Sequence, residues 1–330
     1  VQSGAGVNVF TGSSAFGTNS YLTITDNEID VSSGDLTIDV AGDVTIDADG
    51  GDFKVQDAGT SLMHIKNGSN VLIGLSAGAS IHADATGNIF IGKEVGDASM
   101  TSTADENVGI GSFSLSALTS GSHNTSVGKD SLKSITSGVR NIALGSQTLE
   151  NDTDGTANIA IGHNAMKACT NPGNYIAIGS DAMGAGAVTA SSQVAVGQTS
   201  LFSLTSGTLN IGIGYRAGYA LTTGDSNIAI GYDALGDATE ATNNIAIGYE
   251  CMNAMVGDDA SNAGHHNIAI GTDAMGGVNG LHDNTEIDGN IAIGTDALKG
   301  ASFSTNLEDL IGNIAIGYQA MDATAGGTSN

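Results

Sequence analysis

No tryptophan, a single proline (Pro172) and only 4% aromatic residues occur in these 330 residues. So few large side chains exclude a wide globular core but leave a narrow one, in which Ile, Val, Leu, Met and Ala pack in thin layers. Positive charge is scarce: nine basic residues face 35 acidic ones, for a net charge of −26. Nucleic-acid binding needs clustered Lys and Arg and is excluded as an expectation. Anionic membranes are disfavoured on the same ground. With only Cys169 and Cys251, a disulfide framework is excluded. No apolar run approaches the roughly 20 residues of a membrane span, so no membrane insertion is expected. The opening at Val1 without a signal peptide reads as a processed product or a fragment.

What the chain does have is glycine, 49 of them, and a repeat. A five-residue core recurs: Asn, a β-branched residue, a small residue, an aliphatic, then Gly. It ends at Gly74, Gly92, Gly111, Gly128, Gly145, Gly162, Gly179, Gly197, Gly214, Gly231, Gly248, Gly271, Gly294 and Gly317. The commonest spacing is 17, as from Gly214 to Gly231, and the last three spacings are 23. The residue before the Gly is always Ile, Val or Leu, and the third before it is always β-branched. Between them stands Ala, Gly or Ser in 12 copies, Leu72 and Phe90 being the exceptions. Alternation with period two and β-branched preference predict a short strand with its aliphatics on one face. The small residue points the other way, toward something close: the inside of a narrow roll or a seam between chains.

Four before the Gly stands Asn in 12 copies, with Tyr175 and Gln193 as exceptions. Asn repeated once per turn predicts a stacked amide ladder, including Asn210, Asn227, Asn244, Asn267, Asn290 and Asn313. The Gly suits a sharp corner. Three after it is small (Ser131, Ala182, Ser200, Ala234, Cys251) and four after is mostly Leu or Met (Leu132, Leu235, Met252, Met275, Leu298), a second inward pair. Leu118-Thr-Ser-Gly121 and its siblings at Ile135, Leu204 and Leu221 predict a second corner. The fold class is therefore all-β: a parallel β-solenoid, or β-roll, of about 14 short coils. Stacked at about 4.8 Å, they run roughly 65 Å. Helical repeats are longer, and this core ends on a helix breaker.

Asn227-Ile-Ala-Ile-Gly-Tyr-Asp-Ala-Leu235 and its siblings resemble the head repeats of trimeric autotransporter adhesins, which also occur in bacteriophage tail fibres. The resemblance covers residues 70 to about 321 and implies a left-handed β-roll, three chains side by side as a homotrimer. The family's commoner coil is shorter than the usual coil of this chain, and the wide coils near the C-terminal end depart further.

Three segments follow: a β-rich stalk or stem over 1–69, the solenoid of roughly 17-residue coils over 70–248, and wide 23-residue coils with the C-terminal end over 249–330. The stalk carries ten acidic residues, Lys54 and Lys66, and short alternations such as Leu36-Thr-Ile38 and Phe53-Lys-Val55. It resembles viral fibre stems and would cap the first coil, whose edge is otherwise open. The wide coils add Val278, Leu281, Ile287, Phe303, Leu307, Leu310 and Ile311, which favour a widened coil with extra inward residues. They also carry Asp258, Asp259, His265, His266, His282, Asp283, Glu286 and Asp288, the candidate binding rim. A solvated rim on a wider coil accounts for the same residues.

His265-His266 is the best metal candidate, though neighbours in a strand point to opposite sides. Calcium fits the charge, yet neither an EF-hand loop nor a Gly-Gly-x-Gly-x-Asp array is present. No nucleophile motif occurs. Asp130, Asp181, Asp233, Asp273 and Asp296, two after the Gly, predict a solvent-facing ladder. Tyr215, Tyr232, Tyr249 and Tyr318 follow the Gly in a row, which stacked ring packing explains. Thr reads as scattered, against an ice-binding array. The expectation is a non-enzymatic fibre segment with no cofactor, meeting a host cell-surface glycan or protein, on a virion tail or fibre. The rivals are a bacterial surface adhesin head and a polysaccharide depolymerase, which would need paired carboxylates in a cleft.

Overall fold

The protein's structure is a computed structural model that describes residues 53–57, 60–66, 70–170, 173–186, 192–255, 264–278, 286–300, 310–322 and 327–328. It is all-β, and no helix occurs among the described residues. Each copy of the repeat supplies one short strand, from Asn70–Ile73 and Ile89–Ile91 to Ile291–Ile293 and Ile314–Ile316. These fourteen stack in parallel as one sheet, making a parallel β-solenoid. Ten short turns run from Gly74 to Gly248, and three long ones follow, ending at Gly317. Two further strands precede them in the same sheet. Phe53–Asp57 pairs antiparallel with Thr60–Lys66, which pairs antiparallel with Asn70–Ile73 and so covers the first edge. The rest of the expected stalk lies outside the described residues.

Among the fourteen parallel strands the register never slips. Val194 pairs with Ile211, Ile211 with Ile228 and Ile228 with Ile245. The same alignment crosses the long turns, from Ile245 to Ile268 to Ile291 to Ile314. Two backbone bonds show why: Gly231 N–H donates to Ile213 O and Ile228 N–H to Asn244 O, both at 2.8 Å. Each strand thus hangs from the turn before it and holds the turn after it.

The alternation is settled in one direction. The small residues point inward: Ala143, Ala160, Ala177, Ala229, Ala246 and Ala269 are buried, while the aliphatics flanking them are half-buried or exposed. The interior is completed by the pair after the corner, for example Ala234 with Leu235 and Ala274 with Met275. A further column adds Leu118, Ile135, Asp152, Cys169, Leu204 and Leu221 from the second corner. A roll this narrow has little room for large side chains and fills the rest with Ala, Ser and Gly.

The corner glycine is needed twice over. Gly248 has φ 146°, and a Cβ there would collide with the carbonyl oxygen of Gly271 in the next turn. Less expected are the corners without glycine. The residues two and four after the Gly, and the one before the Asn, lie in the left-handed region, as do Asp233, Leu235 and Ser226 at φ 53°, 53° and 57°. A left-handed Leu is uncommon and persists only because stacking on both sides fixes it.

The wide turns build a second, three-stranded parallel sheet from Ile287–Asp288, Leu310–Ile311 and Gly327–Thr328. Val278, Ile287 and Leu310 are buried, so added length there widens the core. Leu281, Phe303 and Leu307 lie outside the described residues.

Candidate interaction surface

The outer side of the main sheet is made by the residues one and three before each Gly. Of these 28 positions, 27 are Ile, Val or Leu, and the other is Thr125. None is buried; Ile142, Ile213 and Ile270 are 38–39% exposed. At roughly a third exposed each, these residues leave an apolar surface on the order of 1,000 Å², beyond the few hundred Å² that monomers usually show. It is continuous because the register is continuous.

The asparagine ladder stands at the edge of this sheet, fully inside. Asn244 Nδ2 donates to Asn227 Oδ1 at 3.1 Å, and the Asn244 backbone N–H donates to the same oxygen at 3.1 Å. Nδ2 also donates to the Gly264 carbonyl at 2.9 Å. The bonds from each Asn back to the one before recur from Asn70 to Asn158 and from Asn210 to Asn313. All six residues singled out from 210 to 313 belong to one unbroken run. Between the runs, Tyr175 donates only its backbone N–H to Asn158 Oδ1, at 3.1 Å. Gln193 resumes the pattern by accepting from Asn210 N–H at 2.9 Å. The Tyr175 hydroxyl is buried without a hydrogen-bond partner.

Around the turn the polar columns are individually compensated. Of the expected solvent-facing ladder, Asp130 is buried, which corrects the expectation at that position, while Asp181, Asp233, Asp273 and Asp296 are half-exposed. Burial alone would raise the Asp130 carboxyl, but hydrogen bonds and charge from Lys129 and Lys133 prevail and hold it below the usual carboxylate range. Asp181 accepts from Asn164 Nδ2 at 2.9 Å and Asp233 from Arg216 Nε at 3.0 Å. Lys299 bridges Asp273 and Asp296 at 3.0 and 2.8 Å. Like charges thus stack without facing one another unpaired, and the repulsion expected of such a column is locally offset.

Threonine is not scattered. Thr119, Thr136, Thr153 and Thr170 form one column at the second corner, and Thr205, Thr222 and Thr239 another. Within each column a hydroxyl donates to the carbonyl of the next Thr at 2.9–3.1 Å. Each column keeps the 17-residue spacing, but the residues after Thr vary from Ser-Gly to Asp-Gly to Thr-Gly, which hid the ladder in the sequence. The tyrosines also stack: Tyr215 on Tyr232 at 5.1 Å and Tyr232 on Tyr249 at 5.0 Å. Stacked rings turn their faces to each other and their edges to solvent, so the middle of the row offers no platform for a sugar ring.

Of the candidate rim, Asp258, Asp259, His282 and Asp283 lie outside the described residues. His266 and Asp288 are brought together, with Nδ1 2.9 Å from Oδ1, and His266 Nε2 lies 3.3 Å from Asn243 Nδ2. His265 turns away, its Nδ1 buried without a partner and its ring 6.3 Å from that of His266. Glu286 is exposed. Among the described residues no group of three or more His, Cys, Asp or Glu side chains is arranged to hold a metal ion. Cys169 and Cys251 are buried and are not joined in a disulfide. Among the described residues no helix is long and apolar enough to cross a membrane. Compared with protein-family models, curated proteins and solved structures, the chain matches none.

Proposed function

We propose that this chain is a structural and adhesive fibre segment, a side-by-side homotrimer of β-solenoids, working in a viral tail fibre or receptor-binding protein at a host cell surface. The observation that carries the reading is the outward face of 27 aliphatic side chains in unbroken register. A strand pattern that places its small residues inside and its large apolar ones outside serves a chain whose real core lies between copies. Apolar area of this order reaches the scale of a specific interface. The resemblance of Asn227-Ile-Ala-Ile-Gly231 to adhesin head repeats supports the same arrangement. The ligand is a host glycan or protein, met by the wide-turn rim carrying His266, Glu286 and Asp288, and the segment is non-catalytic. A bacterial surface adhesin head is the second reading, supported by the same repeats.

Light scattering with small-angle scattering on the full chain tests this. A rod with three times the single-chain mass is expected; a monomer with its aliphatic face in water overturns the reading. Incubation with host polysaccharide and a reducing-end assay is expected to show no release, and release would replace it with a depolymerase.

A further inference from the structure

An unbroken aliphatic face poses a problem of alignment. Its pattern repeats at every turn, so one chain sliding past another by one turn meets an almost identical surface, Ile against Ile. Apolar burial is non-directional, and between such positions it differs only by the end turns that a slip uncovers. A residue that breaks the translational symmetry would sharpen the choice.

One does. Thr125 is the single polar residue among the 28 outward positions. Its neighbours in register are Val108 on one side and Ile142 on the other. Its hydroxyl has no hydrogen-bond partner among the described residues, although Thr119, Thr136, Thr153, Thr205 and Thr222 at the second corner each donate to a carbonyl. A hydroxyl aimed into an apolar seam needs a partner there, because a buried unpaired one is costly.

We infer that Thr125 sets the register of the assembly: its hydroxyl pairs with the Thr125 hydroxyls of the other copies, so that only the aligned arrangement satisfies all of them. This rests on the homotrimer proposed above. Sliding one chain by one turn places its Thr125 against Ile142 or Val108 of a neighbour and leaves hydroxyls on both chains unpaired. The interior of the same turn is also polar, with Ser114 Oγ donating to Ser126 Oγ at 2.8 Å. A single polar position in an apolar interface is a known way to fix alignment.

The test reads axial offset between chains. Full-length chains with Ser112→Cys and chains with Gln198→Cys are given two different spin labels and refolded together; the buried native thiols stay unlabelled. The two sites lie five turns apart, about 24 Å along the stack, and a one-turn slip changes that offset by about 4.8 Å. Wild type is expected to give one inter-chain distance. T125V is expected to add distances displaced by a slip, and T125V/I142T, which moves the hydroxyl one turn along, to restore a single one. T125V retaining one distance, or the double variant keeping several, overturns the inference. Light scattering on the same samples separates the failures: loss of the threefold mass in wild type sinks the trimer, while an intact trimer with unchanged register sinks only the role of Thr125.

Discussion

The backbone N–H and the side-chain Nδ2 of Asn244 share one acceptor, Oδ1 of Asn227, each at 3.1 Å. Asn227 in turn donates to Asn210 Oδ1 at 3.0 Å and to the Ala241 carbonyl. One buried side chain therefore closes four hydrogen bonds across three turns.

Asn227→Ala removes those four bonds at once, although Asn210 Oδ1 keeps the Asn227 backbone N–H and Asn244 Nδ2 keeps the Gly264 carbonyl. At about 1 kcal/mol each, the loss is about 4 kcal/mol. Asn227→Asp keeps the shape and the acceptor but turns the donor to Asn210 and Ala241 into a repelling oxygen, so it is expected to be at least as harmful. Chemical denaturation at fixed protein concentration checks both.

Gly248→Ala is expected to destabilise by more than about 3 kcal/mol, because φ 146° and the Gly271 carbonyl both oppose a Cβ. Gly173→Ala is the control, with nothing within 4 Å of its Cβ; it is expected to cost less than about 1 kcal/mol. Chemical denaturation of the pair checks the contrast.

Asp152 stands in the inner column between Ile135 and Cys169, one oxygen accepting from Gly155 N–H at 2.8 Å and the other unpaired. Burial pushes its carboxyl up to about 7, with the charge of Asp154 adding and the amides of Gly155, Asp154 and Thr153 opposing. The folded state then holds a proton that the unfolded chain releases near the ordinary aspartate value of about 4. Stability is full below that point, falls as pH rises from about 4 to about 7, and is flat above. The total is on the order of 4 kcal/mol. Asp152→Asn keeps the acceptor for Gly155 and is expected to remove this slope; an unchanged slope would place the titration elsewhere.

Tyr175→Phe removes a buried hydroxyl that has no partner and leaves the ring in place. A gain of about 1 kcal/mol is expected from thermal denaturation.

Ile213→Glu puts a charge on the outward face where the side chain is 38% exposed. The single chain is expected to keep its β circular dichroism while the assembled mass falls toward that of one chain. Unchanged mass would mean that the face is not the seam.

The stack itself was legible because one five-residue core states strand, corner and ladder together, fourteen times over. Period-two alternation says that Ile228 and Ile230 share a face and Ala229 takes the other; it does not say which face is inside. That choice depends on how much room the closed turn leaves, a property of the whole coil. The left-handed corners carried a signal that spacing did not exploit. Glycine replaces other residues at those places, as at Gly218 and Gly289, and Asn and Asp recur there because they tolerate that backbone. The threonine columns keep a spacing of 17, but the changing residues after each Thr and the break between Thr170 and Thr205 hid them. The rim was found only as a stretch of polar sequence, since pairing His266 with Asp288 needs two turns to be laid one upon the other.

The main strand pairing, the glycine contact and the amide ladder adjoin one another on one flank of this molecule. The opposite flank lengthens after Gly248 while Ile245, Ile268 and Ile291 keep their alignment. Such a body is bound like a book along its spine, with pages free to differ in width. Added length on the wider margin is thus accommodated without altering the pitch of the main stack.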